Sequence, residues 1–227
     1  MKTNQNFSIR KLVAVAVFCA LAFVLTLVFH FRVQFLSFDL KDAVMTIGAM
    51  YFGPLAGLAM VVIVSLLEFV SISTTGVYGL IMNIVASAAF VMIGSLIYKY
   101  KRTLAGAVIG MSASVVGMTA VMMVANLVIT PFYMGVSVDA VAGMIPTLLL
   151  PFNLVKALFN AAVVFILYKP VSSVLRAGHF VTDGKGASAD KKFSARNSII
   201  ISVIAIAVAV ACFVVFRFVL GGSFSVA

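Results

Sequence analysis

Leu12-Val-Ala-Val-Ala-Val-Phe-Cys-Ala-Leu-Ala-Phe-Val-Leu-Thr-Leu-Val-Phe29 is a run of 18 residues without a charge. A helix of that length rises about 27 Å at 1.5 Å per residue, close to the ~30 Å hydrocarbon core of a bilayer. Lys2, Arg10 and Lys11 precede it, as basic residues precede a secretory signal. The run is longer than the apolar core of a signal peptide, about 7–15 residues, and no small-x-small cleavage site follows it. It reads as a retained first transmembrane helix.

The rest of the chain follows suit. Of its 227 residues 64% are hydrophobic and 10% charged, against about 25% charged in soluble domains. That excludes a disordered chain and a soluble enzyme with one buried core, and leaves an integral membrane protein. At roughly 20 residues per span the length holds about six or seven helices and no soluble domain beside them. Gly 16, Met 12 and Phe 20 suit close helix packing and an adaptable apolar interior. The two cysteines, Cys19 and Cys212, lie in apolar runs and read as small buried hydrophobes.

Apolar periodicity places helices at about 11–30, 40–51, 55–70, 77–99, 104–127, 151–169 and 198–219. Gly53-Pro54 marks the turn between the short second helix and the third. The expected organisation is all-α: a six-helix membrane domain over 1–169, a polar cytoplasmic linker over 170–197, and an additional transmembrane helix over 198–219. The linker's Gly184-Lys-Gly186 lacks the spacing of a phosphate-binding loop, because position 179 is His and Gly186 stands where Ser or Thr is needed.

Charge orients the bundle. With the N-terminus in the cytoplasm, three basic clusters fall inside: Lys2/Arg10/Lys11, Lys99/Lys101/Arg102, and Lys169/Arg176/Lys185/Lys191/Lys192/Arg196. The net charge of +10 is then a topology signal and does not point to nucleic acid. Arg32 and Lys41 fall outside, and the last helix leaves the C-terminus outside.

The informative residues are those that lipid rejects, at about 2.5–3.5 kcal/mol for a charge at a helix centre. They are Glu68, Asn83, Asn126, Asn153, Lys156 and Asn160, and this topology puts all six in the outer half of the membrane. Asn153, Lys156 and Asn160, offset by 3 and 7 residues, share one helical face. Together they suggest an outward-facing pocket offering amides and one ammonium, suited to a neutral or weakly anionic solute. Removing Lys156 is expected to weaken binding without unfolding the protein, since it relieves an intramembrane charge. No Ser/His/Asp set, HExxH or cluster of metal ligands is present, so catalysis and a bound cofactor are not expected.

Two loops can close such a pocket. Phe31–Leu40 carries Phe31, Phe35, Leu36 and Phe38, which can cover a flat aromatic ligand. Ser71–Gly79 carries Thr74, Thr75 and two glycines; Gly79 lets backbone approach a solute, while the threonine hydroxyls alternatively cap the fourth helix. Small pairs at Ala16/Ala20, Gly53/Gly57 and Gly106/Gly110 allow close helix contact, internal or with a partner.

On these residues the chain resembles the S components of energy-coupling factor (ECF) vitamin transporters, specifically the riboflavin-binding RibU type. The resembling stretches are Phe35-Leu-Ser-Phe-Asp-Leu-Lys-Asp42, Tyr51-Phe-Gly-Pro-Leu-Ala-Gly57, Ser73-Thr-Thr-Gly-Val-Tyr-Gly79 leading to Asn83, and Pro151-Phe-Asn-Leu-Val-Lys156 leading to Asn160. The resemblance implies a six-helix bacterial plasma-membrane protein without catalytic activity. It would capture riboflavin from outside and dock on a transmembrane coupling subunit driven by two ATP-hydrolysing subunits. It implies that Asn153, Lys156 and Asn126 contact the flavin, that Ala16 and Ala20 face the coupling subunit, and that the first loop is the gate. The seventh helix has no counterpart in that pattern. An S component for pantothenate or thiamine, and a stand-alone secondary transporter, are the alternatives.

Overall fold

Helix α1 runs from Ile9 to Val28. Its two faces are both predominantly apolar. Ala14, Phe18, Cys19 and Ala22 are buried against the bundle, while Val13, Val17, Leu21 and Val24 are exposed where lipid would lie. The computed structural model describes residues 9–29, 31–177, 195–221 and 223–224.

The first loop departs from its expected irregular form. Strands β1 (Phe31–Val33) and β2 (Leu36–Phe38) pair antiparallel, Val33 opposite Leu36, around a two-residue turn. Gln34 holds φ 53 there, the sign that tight hairpin turns require. No Asn-Gly or Asp-Gly announced this turn. The alternation Phe31-Arg32-Val33 and Leu36-Ser37-Phe38 was the available signal.

Helix α2 (Lys41–Phe52) follows and is buried along all but one of its residues, the exception being Tyr51. Its 12 residues rise about 18 Å, too little to cross a bilayer. Gly53, at φ 101, turns the chain as the sequence indicated, and Pro54 opens α3 (Pro54–Ser71), where its missing N–H does no harm. Helices α4 (Gly76–Tyr100) and α5 (Leu104–Met134) pack as an antiparallel pair, Gly110 lying against the backbone of Gly94.

The stretch between the fifth and sixth expected helices is also ordered. Helix α5 continues past residue 127 through Pro131, which interrupts one backbone bond without ending the helix. Ser137 then caps α6 (Val138–Met144), its hydroxyl accepting from the Ala140 N–H at 3.3 Å. A π-helical stretch, Ile145–Leu149, carries α6 into α7 (Leu150–Ala177). Helix α7 therefore takes in Pro170 and the first residues of the expected linker; positions 178–194, with Gly184-Lys-Gly186, lie outside the described residues.

Helix α8 (Ala195–Val214) returns along α7 and extends as a π-helical stretch over Val215–Val219. Strand β3 (Ser223–Phe224) then pairs antiparallel with β1, giving the order β2-β1-β3. Ser223 and Phe224 thus lie on the hairpin's side of the bundle. Among the described residues six helical segments are long and apolar enough to cross a membrane: α1, α3, α4, α5, the joined α6–α7, and α8.

Apolar packing forms two clusters. The larger joins α1–α5 with the inner part of α7. The smaller lies above it and gathers Val33 and Phe38 of the hairpin, Val141, Phe152, and Cys212 and Phe216 from the end of α8. Both cysteines are buried.

Candidate functional site

Between the two clusters lies a cavity of about 310 Å³, roofed by the hairpin and walled by α3, α4, α5 and α7. That is the lower end of the about 300–1,000 Å³ typical of small-ligand sites. Leu36, Met82, Met118, Met122 and Phe152 make its apolar wall. Phe35 of the hairpin and Tyr78 of α4 both pack on Tyr133 of α5, with ring centroids 6.1 and 6.2 Å apart. All three rings line the cavity, as do Arg32 and the hydroxyl-bearing Ser73, Thr74 and Thr75.

Its polar end is an ion-pair chain. Glu68 Oε2 accepts from Lys41 Nζ at 2.6 Å, Lys41 Nζ also donates to Asp39 Oδ2 at 3.2 Å, and Lys156 Nζ donates to the same oxygen at 2.9 Å. Asn83 Nδ2 donates to Glu68 Oε2 as well. The chain holds two charges of each sign, and its four ionic side chains are at most 8% exposed. Burial opposes a charge on Asp39, but the two ammonium groups bonded to it more than offset this and hold its carboxyl below the usual range. Below the chain, Ser87 Oγ donates to Asp42 Oδ1 at 2.5 Å.

Lys41, assigned to the outer side by the charge pattern, is fully buried at the start of α2. The network corrects one expectation: Lys156 is not a lone intramembrane charge. It compensates Asp39 and also donates to the Ser37 carbonyl at 3.1 Å. Removing it leaves a buried carboxylate short of a partner, so the expected relief becomes a cost.

The sequence singled out nine residues for the pocket, and the fold brings six to the cavity wall: Glu68, Thr75, Gly79, Asn83, Asn153 and Lys156. Asn153 spends one amide N–H on the Leu149 carbonyl at 2.8 Å, which leaves its second N–H as a donor and its Oδ1 as an acceptor. An ammonium has three N–H donors, and the two bonds of Lys156 leave one. Thr75 makes no side-chain cap bond to α4, so its hydroxyl is not spent on the helix end. A Cβ on Gly79 would collide with Thr75 Oγ1; the glycine therefore seats that hydroxyl.

The other three stand behind the wall. Asn160 ties α7 to α2: its Oδ1 accepts from the Ala43 N–H at 3.0 Å and its Nδ2 donates to the carbonyls of Asp39 and Lys156. Asn126 donates to the Met122 carbonyl and accepts from Thr130, whose side chain reaches the cavity wall. Phe38 packs beneath the hairpin on Phe152, Phe159 and Phe216.

Sequence reasoning passed over Asp39, Lys41 and Ser65 as site residues. The signal for the first two was parity, since Glu68 and Lys156 in apolar helices each need an opposite charge. Ser65 lines the cavity, is 1% exposed, and its Oγ has no partner among the described residues. Far from the cavity, Ala16 and Ala20 lie on the exposed face of α1.

Comparison with known proteins gives one consistent result. The family described as "ECF transporter, substrate-specific component" matches residues 10–172. The chain is 27% identical over 185 residues to "Riboflavin transporter RibU" of Staphylococcus aureus (strain TCH60), covering 78% of this chain and 96% of the relative. It is 28% identical over 186 residues to "Riboflavin transporter FmnP" of Bacillus subtilis (strain 168), covering 75% and 98%. It also resembles a solved structure described as "Structure and mechanism of the S component of a bacterial ECF transporter", with a TM-score of 0.63 at 28% identity, over 73% of this chain and 97% of that one.

Proposed function

The chain belongs to the substrate-specific (S) components of ECF transporters, and from that premise we propose that it captures riboflavin on the outer side of the membrane and carries it inward docked on an ATP-driven coupling module. It is a multi-pass membrane protein of a transporter family. Two similar proteins are named as riboflavin transporters, which supports the choice of vitamin.

The observation that carries the reading is the pair Asn153 and Lys156 on the wall of a cavity that also has a methionine and aromatic wall. The imide edge of a flavin presents carbonyl acceptors beside an N–H donor. Lys156 has a donor left for a carbonyl, and Asn153 an acceptor left for the N–H. Because Lys156 belongs to an ion-pair chain with two charges of each sign, this end suits a neutral ring. Methionine and aromatic walls suit its faces, and the hydroxyls of Ser73, Thr74 and Thr75 suit a polyhydroxyl side chain. No bond is made or broken in this scheme; the protein binds and hands over.

Docking follows from α1. Ala16 and Ala20 form a small-residue stripe on its exposed face, where a helix of the coupling subunit can approach closely. In this reading the N-terminus is cytoplasmic, two ATP-hydrolysing subunits complete the module, and the hairpin faces outward. An absorption spectrum of the protein purified from cells, followed by isothermal titration with riboflavin, tests the ligand. A flavin spectrum and saturable binding are expected. Colourless protein that binds pantothenate or thiamine instead would overturn the choice of vitamin. Ala16→Trp should abolish uptake by the full complex and leave riboflavin binding intact, and normal uptake would move the docking face elsewhere.

A further inference from the structure

The family match stops at residue 172, yet the chain goes on to fold against the part of the molecule that covers the cavity. Strand β3 adds a third strand to the hairpin, along β1. Phe216, in the π-helical stretch after α8, is 2% exposed, and its ring centroid lies 4.7 Å from that of Phe38 in β2. Cys212 and Phe216 share an apolar cluster with Val33, Leu36 and Phe38, and Leu220 packs against it. The end of α8 therefore grips the hairpin by backbone pairing and by side-chain packing at once.

The hairpin has reason to need this. Its two strands have three residues each and its turn passes through Gln34 at positive φ. An isolated two-stranded hairpin is marginal, and a third strand or a packed helix is what stabilises one. The same hairpin supplies Arg32, Gln34, Phe35, Leu36 and Ser37 to the cavity lining, and the Ser37 carbonyl and the adjoining Asp39 are the acceptors of Lys156. Lifting it unroofs the cavity and takes both acceptors from the ammonium.

We infer that α8 and β3 form a strap built into the chain that holds the hairpin down, with Phe216 as its positioning residue, so that the extra helix sets how fast the cavity opens and releases its ligand. The inference about release rests on the cavity being the riboflavin site; the inference about the hairpin does not.

The test uses the full chain in detergent, with two readouts: hydrogen exchange of residues 31–38, which needs no ligand, and the rate of riboflavin dissociation. Phe216→Ala should raise both about tenfold, the factor that corresponds to about 1.4 kcal/mol, with exchange in α3–α5 unchanged. Phe216→Leu, which keeps an apolar plug, should restore most of the difference. Phe31 and Phe224 are directly paired, and antiparallel partners lie about 4.5–5.5 Å apart at Cα, within disulfide reach. The double variant Phe31→Cys/Phe224→Cys, oxidised, should slow both readouts, and reduction should reverse this. Hairpin exchange unchanged in Phe216→Ala, or raised equally throughout α3–α5, overturns the strap. If Phe216→Ala fails to fold, the cysteine pair decides: hairpin exchange indifferent to oxidation overturns it. Wild-type protein that does not bind riboflavin would sink the ligand reading alone, with the exchange results still deciding the strap.

Discussion

Helices α2 and α8 invert the rule that apolar residues go inside. Helix α2 carries Lys41, Asp42 and Thr46, and all but one of its 12 residues are buried. Helix α8 is among the most apolar segments of the chain, yet 17% of Ile200–Val219 is buried, against 56% of Val138–Leu175. In water this contrast would be perverse. In lipid it is expected, because acyl chains solvate a leucine as well as a protein interior does, and apolarity alone gives a helix no reason to leave the periphery. Polar groups do have a reason, since each needs a partner that lipid cannot supply. Helix α2 is central because its first turn must be matched by Glu68, Ser87 and Asn160.

The contrast is most exposed to test at its ionic centre. Lys156→Ala should destabilise the protein by about 3–5 kcal/mol, the range for removing one partner of a buried pair. Thermal unfolding in detergent reads the loss, and Asp39→Asn/Lys156→Met should recover most of it. A single variant as stable as wild type would show that the charge chain does not hold α2 in place.

Packing gives the next measure. Met45, in the middle of α2, is fully buried, so Met45→Ala should cost about 2–5 kcal/mol in the same assay, as large-to-small core changes do. A cost near zero would place α2 in a loosely packed environment and weaken the comparison.

Between the two helices lies the cavity mouth. Gly79→Ala should push Thr75 aside and weaken riboflavin binding about 2–10-fold, one net hydrogen bond's worth. Isothermal titration reads this; unchanged affinity would remove the Thr75 hydroxyl from the site.

The smallest effect belongs to α8. Val210 is 57% exposed on the lipid side, and Val210→Ala should change stability by less than about 0.5 kcal/mol. A loss comparable with that of Met45→Ala would show that this face is covered by protein.

The helices were legible because a helix long enough to cross a bilayer must be written as a long apolar run. The turn at Gly53-Pro54 was legible because few residues other than glycine hold φ 101. Asn153 and Lys156 could be placed together because three residues apart on a helix means one face. The hairpin escaped, since strands of three residues show too little alternation to stand out and Gln34 is not a usual turn residue. The α6 segment lay outside the expected helix 151–169, because a proline at a helix start looks the same as one that a helix runs through; here α6 passes Pro146 and Pro151 by way of the π-helical stretch Ile145–Leu149.

By itself the sequence determined that the chain is a helical membrane protein, where its long helices run, and that its polar groups gather toward one side. Those properties rest on length, hydropathy and local spacing, which neighbouring residues settle among themselves. The tertiary structure alone decided that Asp39 and Lys41 join Glu68 and Lys156, that Asn160 serves the framework rather than the cavity wall, and that residues 223–224 close on a hairpin nearly 200 positions earlier. Pairings across such separations depend on which helix faces meet, and in lipid those faces are chosen by polar satisfaction and close packing, which no run of apolar letters encodes.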